Sequence, residues 1–397
     1  MRILFLMKCP LDRRNIKRFG LHFFLERGHQ VTVLDMMRAS HPAAAFSPPA
    51  PELDPRIEVR RIDRWSQLAN EKATFAQADM ILLMTQTYGL SAITLPSLRM
   101  IAKVDRPYTI FMPTLVPGET GRFEELPLRR KLHELAGRMK KASLLNSAIN
   151  RLHPSWLGLP PASLVVYPAR GSEVSNNLIG DKTRAVYTHS WDYDEFLARY
   201  PTLPDATDTA VFIDQYLPFH SDFLLAPLQT PIEPTAYYGG LRGLFDRIER
   251  ELGLEVVIAA HPKSDYDLHP GVFGNRRILR GQSLDLVARS KLVLGHLSIG
   301  IGFAVMCQKP LRFLISRNLY EGNAYFEHSF DRSSELLNVP LWRFDDPASI
   351  QLDRSLEFDH NRYQSYIETY LAHPRRPPLG HWDGIASAIE AFVAGNG

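Results

Sequence analysis

Short apolar runs, several rich in valine and isoleucine, recur along the chain, and helix-forming stretches separate many of them. "RILFLM", "QVTVLDM", "DMILLM", "YTIFMP" and "SLVVYPA" follow one another in the first half, with "RIEVRRI" as a more polar member. "NIKRFGLHFFLERGH" reads as one amphipathic helix stopped by Gly28, and "TFAQA" and "LSAITLPSLRMIA" as helical pieces. Strands this apolar need cover on both faces. Helices between them supply it, so the pattern predicts a parallel sheet.

The same grammar restarts after "RYPTLPDATD", Arg199 to Asp208, where two prolines and two aspartates interrupt it. "TAVFIDQYLPF" is read as a strand, "EPTAYYGGLRGLFDRIEREL" as a helix opened by Glu233 and Pro234, and "LEVVIAA" as a strand. "SLDLVARS" is a short helix, "KLVLGH" a strand, "IGFAVMC" a helix and "PLRFLIS" a strand. A chain of 397 residues exceeds what one core usually supports. The expected architecture is α/β, with two Rossmann-like doubly wound domains facing a central cleft. The first spans residues 1–203 and the second 204–360, and helices of 361–397 cross back to the first.

Composition excludes several classes. With 45% apolar and 22% charged residues the chain is of the folded, soluble type, and a net charge of +3 is too small for a nucleic-acid footprint. Cys9 and Cys307 are too few for a disulfide framework or a cysteine metal cluster. The opening apolar run fits a first strand better than a secretion signal, so a cytoplasmic setting is expected. "RRKLHELAGRMKK", Arg129 to Lys141, reads as a solvated helix face, with a peripheral contact at the inner membrane face as the alternative.

Ligands of open parallel sheets bind beyond the carboxyl ends of the strands. Two of the predicted strands end in suggestive residues. "LEVVIAAHPKSDY" runs into His261, Pro262 and Lys263, and "KLVLGHLSIGIG" into Ser298, Gly300 and Gly302. If the two strands are neighbours, both side chains face one crevice. Pro262 restricts His261 to an extended backbone, and an imidazole beside a lysine can donate to phosphate oxygens. Against this, His261 could cap its strand, and the glycines could serve close helix–strand packing. His296 reads as structural. The glycine loop is neither a Walker A loop nor G-x-G-x-x-G.

Acidic candidates follow other strands. "VYTHSWDYDEF" places Asp192 and Asp194 beside His189 and Ser190, where a carboxylate could take a proton from a hydroxyl, or Ser190 or Asp192 could cap the next helix. "FIDQYLPFH" gives Asp214 and His220 with the same two readings. Glu321 could accept from ribose hydroxyls or stay an exposed loop carboxylate. "DYD" is a D-x-D by letters only, and no metal site is expected.

Taken together, "GHQVTVLDM", "AAHPKSDY" and "LGHLSIGIGFAVMCQKPLRFLIS" resemble GT-B glycosyltransferases of bacterial surface polysaccharide biosynthesis, the group of sialyl-, polysialyl- and Kdo-transferases. The resemblance implies that His261, Pro262 and Ser298 hold the nucleotide's phosphate; from their own chemistry Lys263, Gly300 and Glu321 join them as donor-binding candidates. It implies an inverting, metal-independent transfer with no cofactor. The donor would be a CMP-activated sugar acid or, next, a UDP-sugar, and the acceptor a glycan or lipid-linked glycan, as in capsule or lipopolysaccharide synthesis. The general base would be Asp192 or Asp194. The acidic motif ending in glycine that marks those families is absent, and "HSWDYD" stands in its place. UDP-N-acetylglucosamine 2-epimerases also carry His-Pro after a strand, but they place acidic residues where "SIGIGFAVMC" is uncharged. An epimerase and a non-catalytic nucleotide-sugar-binding protein are the competing readings.

Overall fold

Strand β1 (Arg2–Met7) alternates Ile3, Phe5 and Met7 with Leu4 and Leu6, all buried, so both of its faces require cover. In the computed structural model Leu4 and Leu6 pack with Phe75, Leu98 and Ile101, from the helices Lys72–Gln77 and Leu95–Val104. Ile3 and Phe5 pack on the other side with Phe24 of the helix Leu21–Glu26 and with Trp382, Ile385 and Ile389 of the last helix, His381–Gly395. The structure describes residues 1–9, 11, 13–41, 53–84, 89–115, 117, 149, 152–220, 232–321 and 324–395. The basic segment Arg129 to Lys141 lies outside them.

Among the described residues there are two parallel sheets. The first takes β1 with β2 (Gln30–Asp35), β3 (Ile57–Arg61), β4 (Met80–Met84), β5 (Tyr108–Phe111), β6 (Leu164–Tyr167) and β7 (Arg184–Tyr187), in the order β3-β2-β1-β4-β5-β6-β7. The second takes β8 (Thr209–Ile213), β9 (Glu255–Ala260), β10 (Ile278–Arg280), β11 (Leu292–Gly295), β12 (Leu311–Ile315) and β13 (Leu341–Arg343), in the order β10-β9-β8-β11-β12-β13. Both orders reverse beside the first strand of the set, between β1 and β4 and between β8 and β11. This is the doubly wound arrangement expected from the alternation of strands and helices.

Two compact units divide the chain, the first ending at Trp191 and resuming at Ala372, the second running from Asp192 to Leu371. The break therefore falls earlier than 203/204. The helix Trp191–Arg199 turns Tyr193 and Phe196 onto the second core, Arg199 pairs with Asp285 at 2.9 Å, and the Tyr200 hydroxyl donates to Asp285 at 2.6 Å. The return falls later than 360/361, because Tyr363, Tyr366 and Leu371 are buried in that same core. The last helix is tied to the first unit by Arg27, which grips Glu390 with two hydrogen bonds of 3.0 and 2.7 Å, and by His29 on the same carboxylate at 2.9 Å.

The single helix expected over "NIKRFGLHFFLERGH" is broken into Arg13–Arg18 and Leu21–Glu26. Gly20 between them has φ +68°, and a Cβ there would lie 2.5 Å from the Trp382 indole, whose Nε1 donates to the Arg18 carbonyl at 3.1 Å. A distant aromatic thus decides a local break. The three-residue strands β10 and β13 were not expected, being too short to show a period.

Candidate active site

The second sheet has its switch point between β8 and β11, and three loops leave the carboxyl edge around it. They are Asp214–His220 after β8, His261–His269 after β9 and His296–Gly300 after β11. His261 and Ser298 do not leave adjacent strands, because β8 lies between them. Both nonetheless leave the same edge, and the residues following β8 reach toward each.

Asp214 is the first of these. Its carboxylate is buried and accepts from the Tyr216 N–H at 2.8 Å, the Tyr266 hydroxyl at 2.7 Å and the His261 N–H at 3.3 Å. Burial raises its pKa, and these donors oppose the rise by solvating the charge. Gln215, next in sequence, donates its amide to the Leu297 carbonyl, one residue before Ser298. Adjacent side chains of one loop thus tie down the two neighbouring loops.

Rings complete the join between the β8 and β9 loops. Tyr216, at φ +56°, meets Tyr266 edge-on at 5.2 Å, Phe219 stacks on His269 at 3.7 Å, and His220 meets His261 at 4.9 Å. This is why the strand stops at Ile213 rather than running to Phe219: Asp214 turns inward, and Leu217–Phe219 coil into a 3₁₀ turn.

His261 is half-buried, and Pro262 and Lys263 are exposed. The Lys263 N–H donates to His261 Nδ1 at 3.2 Å, so in the neutral ring the proton resides on Nε2. Ser264 donates its N–H and its hydroxyl to the His261 carbonyl at 2.9 and 2.7 Å. His261 is thus held at its backbone carbonyl and at Nδ1.

Ser298 is half-buried in the turn before the helix Ile301–Met306. A Cβ on Gly300 would lie 3.1 Å from Ile213 Cγ2 and 3.3 Å from Ser298 Oγ, and one on Gly302 would lie 3.1 Å from Leu371. Both glycines therefore serve close packing, and Gly300 also lets the Ser298 hydroxyl lie against the turn. His296 is structural. Its Nδ1 meets the Leu314 carbonyl at 2.6 Å, its Nε2 meets the Tyr237 hydroxyl at 2.7 Å, and burial lowers its pKa to about 4.

Farther along the edge, past β12 and β13, lies a cavity of about 590 Å³ lined by Tyr237, Ser316, Arg317, Arg343, Phe344 and Asp345, among others. Glu321 is exposed and pairs with Arg343 at 3.2 Å and Arg317 at 3.7 Å, which puts it behind two of the cavity's cations. Glu233 occupies the start of the helix Pro234–Arg247, accepting from the Thr235 and Ala236 N–H groups at 2.9 and 2.6 Å. Asp192 and Asp194 are half-buried in the first turn of the helix Trp191–Arg199 and fall in the second unit rather than in the first, where the sequence suggested they would be. Among the described residues no group of three or more His, Cys, Asp or Glu side chains could hold a metal ion.

Sequence reasoning left Asp214 ambiguous and passed over Gln215, Tyr266, Arg317 and Arg343. The available signal was the polar pair Asp214-Gln215 directly after a fully apolar strand.

Two parallel, doubly wound sheets with this strand order define an α/β fold of the GT-B type. Among solved structures the chain is similar to the wall teichoic acid polymerase TagF. Two histidine variants of TagF align at 10% identity over 100% of this chain and 89% of that one, with TM-scores of 0.53 and 0.52. A UDP-GlcNAc 2-epimerase from Methanocaldococcus jannaschii aligns at 11% identity over 99% of this chain and 100% of that one, with a TM-score of 0.45. At such identities the likeness is one of fold. No protein-family model matches the chain, and no curated protein matches it significantly in sequence.

Proposed function

We propose that this chain is an inverting, metal-independent glycosyltransferase that moves a sugar from a nucleotide-activated donor to a glycan or lipid-linked glycan acceptor. The observation that carries the reading is the carboxyl edge at the second switch point. There His261, held at Nδ1, and the Ser298 hydroxyl leave the two strands that flank β8. Two neutral donors and the Lys263 ammonium suit a phosphate leaving group, and the cavity past β12 has the size and polarity for the rest of a nucleotide-sugar. A histidine variant of TagF, which shares the fold, has been soaked with CDPG.

The acceptor hydroxyl attacks the anomeric carbon, and the bond from that carbon to the phosphate oxygen breaks with its electron pair going to the phosphate. Asp192 or Asp194 takes the hydroxyl proton, and His261 and Ser298 donate to the departing phosphate. No cofactor enters. The donor is a CMP-activated sugar acid, with UDP-sugars next in order.

Thermal shift with CMP, UDP, CDP and GDP on the unaltered chain and on His261→Ala tests the site. One nucleotide is expected to raise the melting temperature of the first and not of the second. Nucleotide release from the matching donor then reports transfer, and it should be lost in Asp192→Asn or Asp194→Asn. Conversion of UDP-N-acetylglucosamine to its 2-epimer without transfer would replace this reading with the epimerase, and binding without turnover would leave a nucleotide-sugar-binding protein.

A further inference from the structure

The first sheet has a crevice at its own carboxyl edge. Met84, Phe111 and Val166, at the ends of β4, β5 and β6, form part of its wall, and Arg18, Trp191 and Trp382 line it as well. Its volume is about 80 Å³. A cavity that holds a benzene ring is about 150 Å³, so this one takes a substituent of a sugar rather than a nucleotide.

The charge at the crevice is one-sided. None of its lining residues is acidic, and the polar ones besides Arg18 are Thr114, Ser190 and His381. Lys17 adds a second cation, 5.5 Å over the Trp191 ring. Arg18 itself is half-buried. Among the described residues the other buried or half-buried arginines, Arg242, Arg247, Arg276, Arg312, Arg343 and Arg376, each donate to a carbonyl or a carboxylate. The Arg18 guanidinium has no such acceptor among them, although its burial removes part of its hydration. A cation suits the last turn of the helix Arg13–Arg18, but exposed Lys17 already supplies one there. The backbone beneath Arg18 is fixed, since its carbonyl receives the Trp382 Nε1–H at 3.1 Å and Gly20 turns the chain away at φ +68°.

We propose that this crevice selects the acceptor, and that it selects one whose terminal sugar carries an anionic group, a carboxylate or a phosphate, gripped by Arg18. This rests on the transferase reading and names the acceptor's chemical class. A guanidinium fork matches two oxygens of either group, and the apolar walls strengthen the pairing by excluding water.

Titration of the full chain with methyl glucuronide, glucose 6-phosphate and methyl glucoside is the test, followed by tryptophan emission because Trp191 and Trp382 line the crevice. One of the charged sugars is expected to bind about tenfold or more tightly than the neutral one, and which of them does so separates carboxylate from phosphate. Arg18→Gln should reduce the preference to about twofold or less, and Arg18→Lys, which keeps the charge without the fork, should retain part of it. Arg106→Gln, at an exposed arginine of the same unit, should keep it in full. Urea midpoints check the folding of each variant. Equal binding of charged and neutral sugars, no binding of either charged sugar, or an undiminished preference in Arg18→Gln overturns the assignment, and the transferase reading then stands if nucleotide binding still depends on His261. Absence of nucleotide binding by the unaltered chain overturns the transferase reading and the acceptor role together, even where a charged sugar binds through Arg18.

Discussion

The two sheets share a strand order up to the last strand of the first, yet their carboxyl edges carry different side chains. In the first, the residues after β1 are Lys8 and Cys9, and the edge holds a crevice of about 80 Å³ lined by Phe19, Met84, Phe111, Val166, Trp191 and Trp382, among others. In the second, the residues after the equivalent strand β8 are Asp214 and Gln215, and the edge is bound together by a buried carboxylate, an amide and three ring contacts. Asp35, the last residue of β2, accepts from the Met37 N–H of its own turn at 3.1 Å, whereas His261, after β9, is joined to a neighbouring loop. Topology therefore sets where a ligand can bind, and the one or two residues after each strand set what kind.

That contrast can be broken most directly at His261. His261→Ala should lower turnover by about 100- to 1000-fold, the usual effect of losing a donor to a developing oxyanion, and leave the melting temperature nearly unchanged. In the first unit Met84→Ala, at the equivalent edge, should cost about 3 kcal/mol of stability in urea melts. Comparable activity loss from Met84→Ala alone, with His261→Ala active, would reverse the assignment of the chemical edge.

Asp214→Ala strands the Tyr266 hydroxyl and the N–H groups of Tyr216 and His261, and should cost about 3 kcal/mol. Asp214→Asn should cost less, since the amide oxygen still accepts. The second unit also carries a pH signature. Burial holds His296 neutral down to about pH 4 in the folded chain, while the unfolded chain protonates it near pH 6.5. Stability from this residue is present above pH 6.5 and is lost as pH falls toward 4, by about 3 kcal/mol in all, measured as urea midpoints across that range. In the double variant His296→Phe with Tyr237→Phe, which removes both members of that hydrogen bond and leaves the Leu314 carbonyl behind, that part of the slope should vanish.

Gly20→Ala sharpens the other side of the comparison. It places a Cβ against the Trp382 indole at a left-handed position and should cost about 2 kcal/mol. Gly28→Ala is also left-handed, at φ +80°, but meets open space, and should cost about 1 kcal/mol. Equal effects at the two glycines would mean that the last helix contributes nothing at Gly20.

Periodicity was enough for strands such as β1, β4, β9 and β11, because each buries a continuous apolar run, whereas β3 is mostly exposed and β10 is too short to show a period. The helix opening at Glu233-Pro234 was legible for the same local reason, since both cap and first-turn residue act within their own turn. His261 and Ser298 could be picked out because they interrupt apolar runs at strand ends. What required the folded chain was every feature made by residues far apart in sequence. β8 separates the strands of His261 and Ser298, Trp382 breaks a helix at Gly20, and Asp214 joins two loops. Tyr193 and Phe196, beside Asp192 and Asp194, also pack on the second core. Local sequence fixes which conformations each segment prefers, but strand order and long-range burial are settled only when all segments compete for one interior.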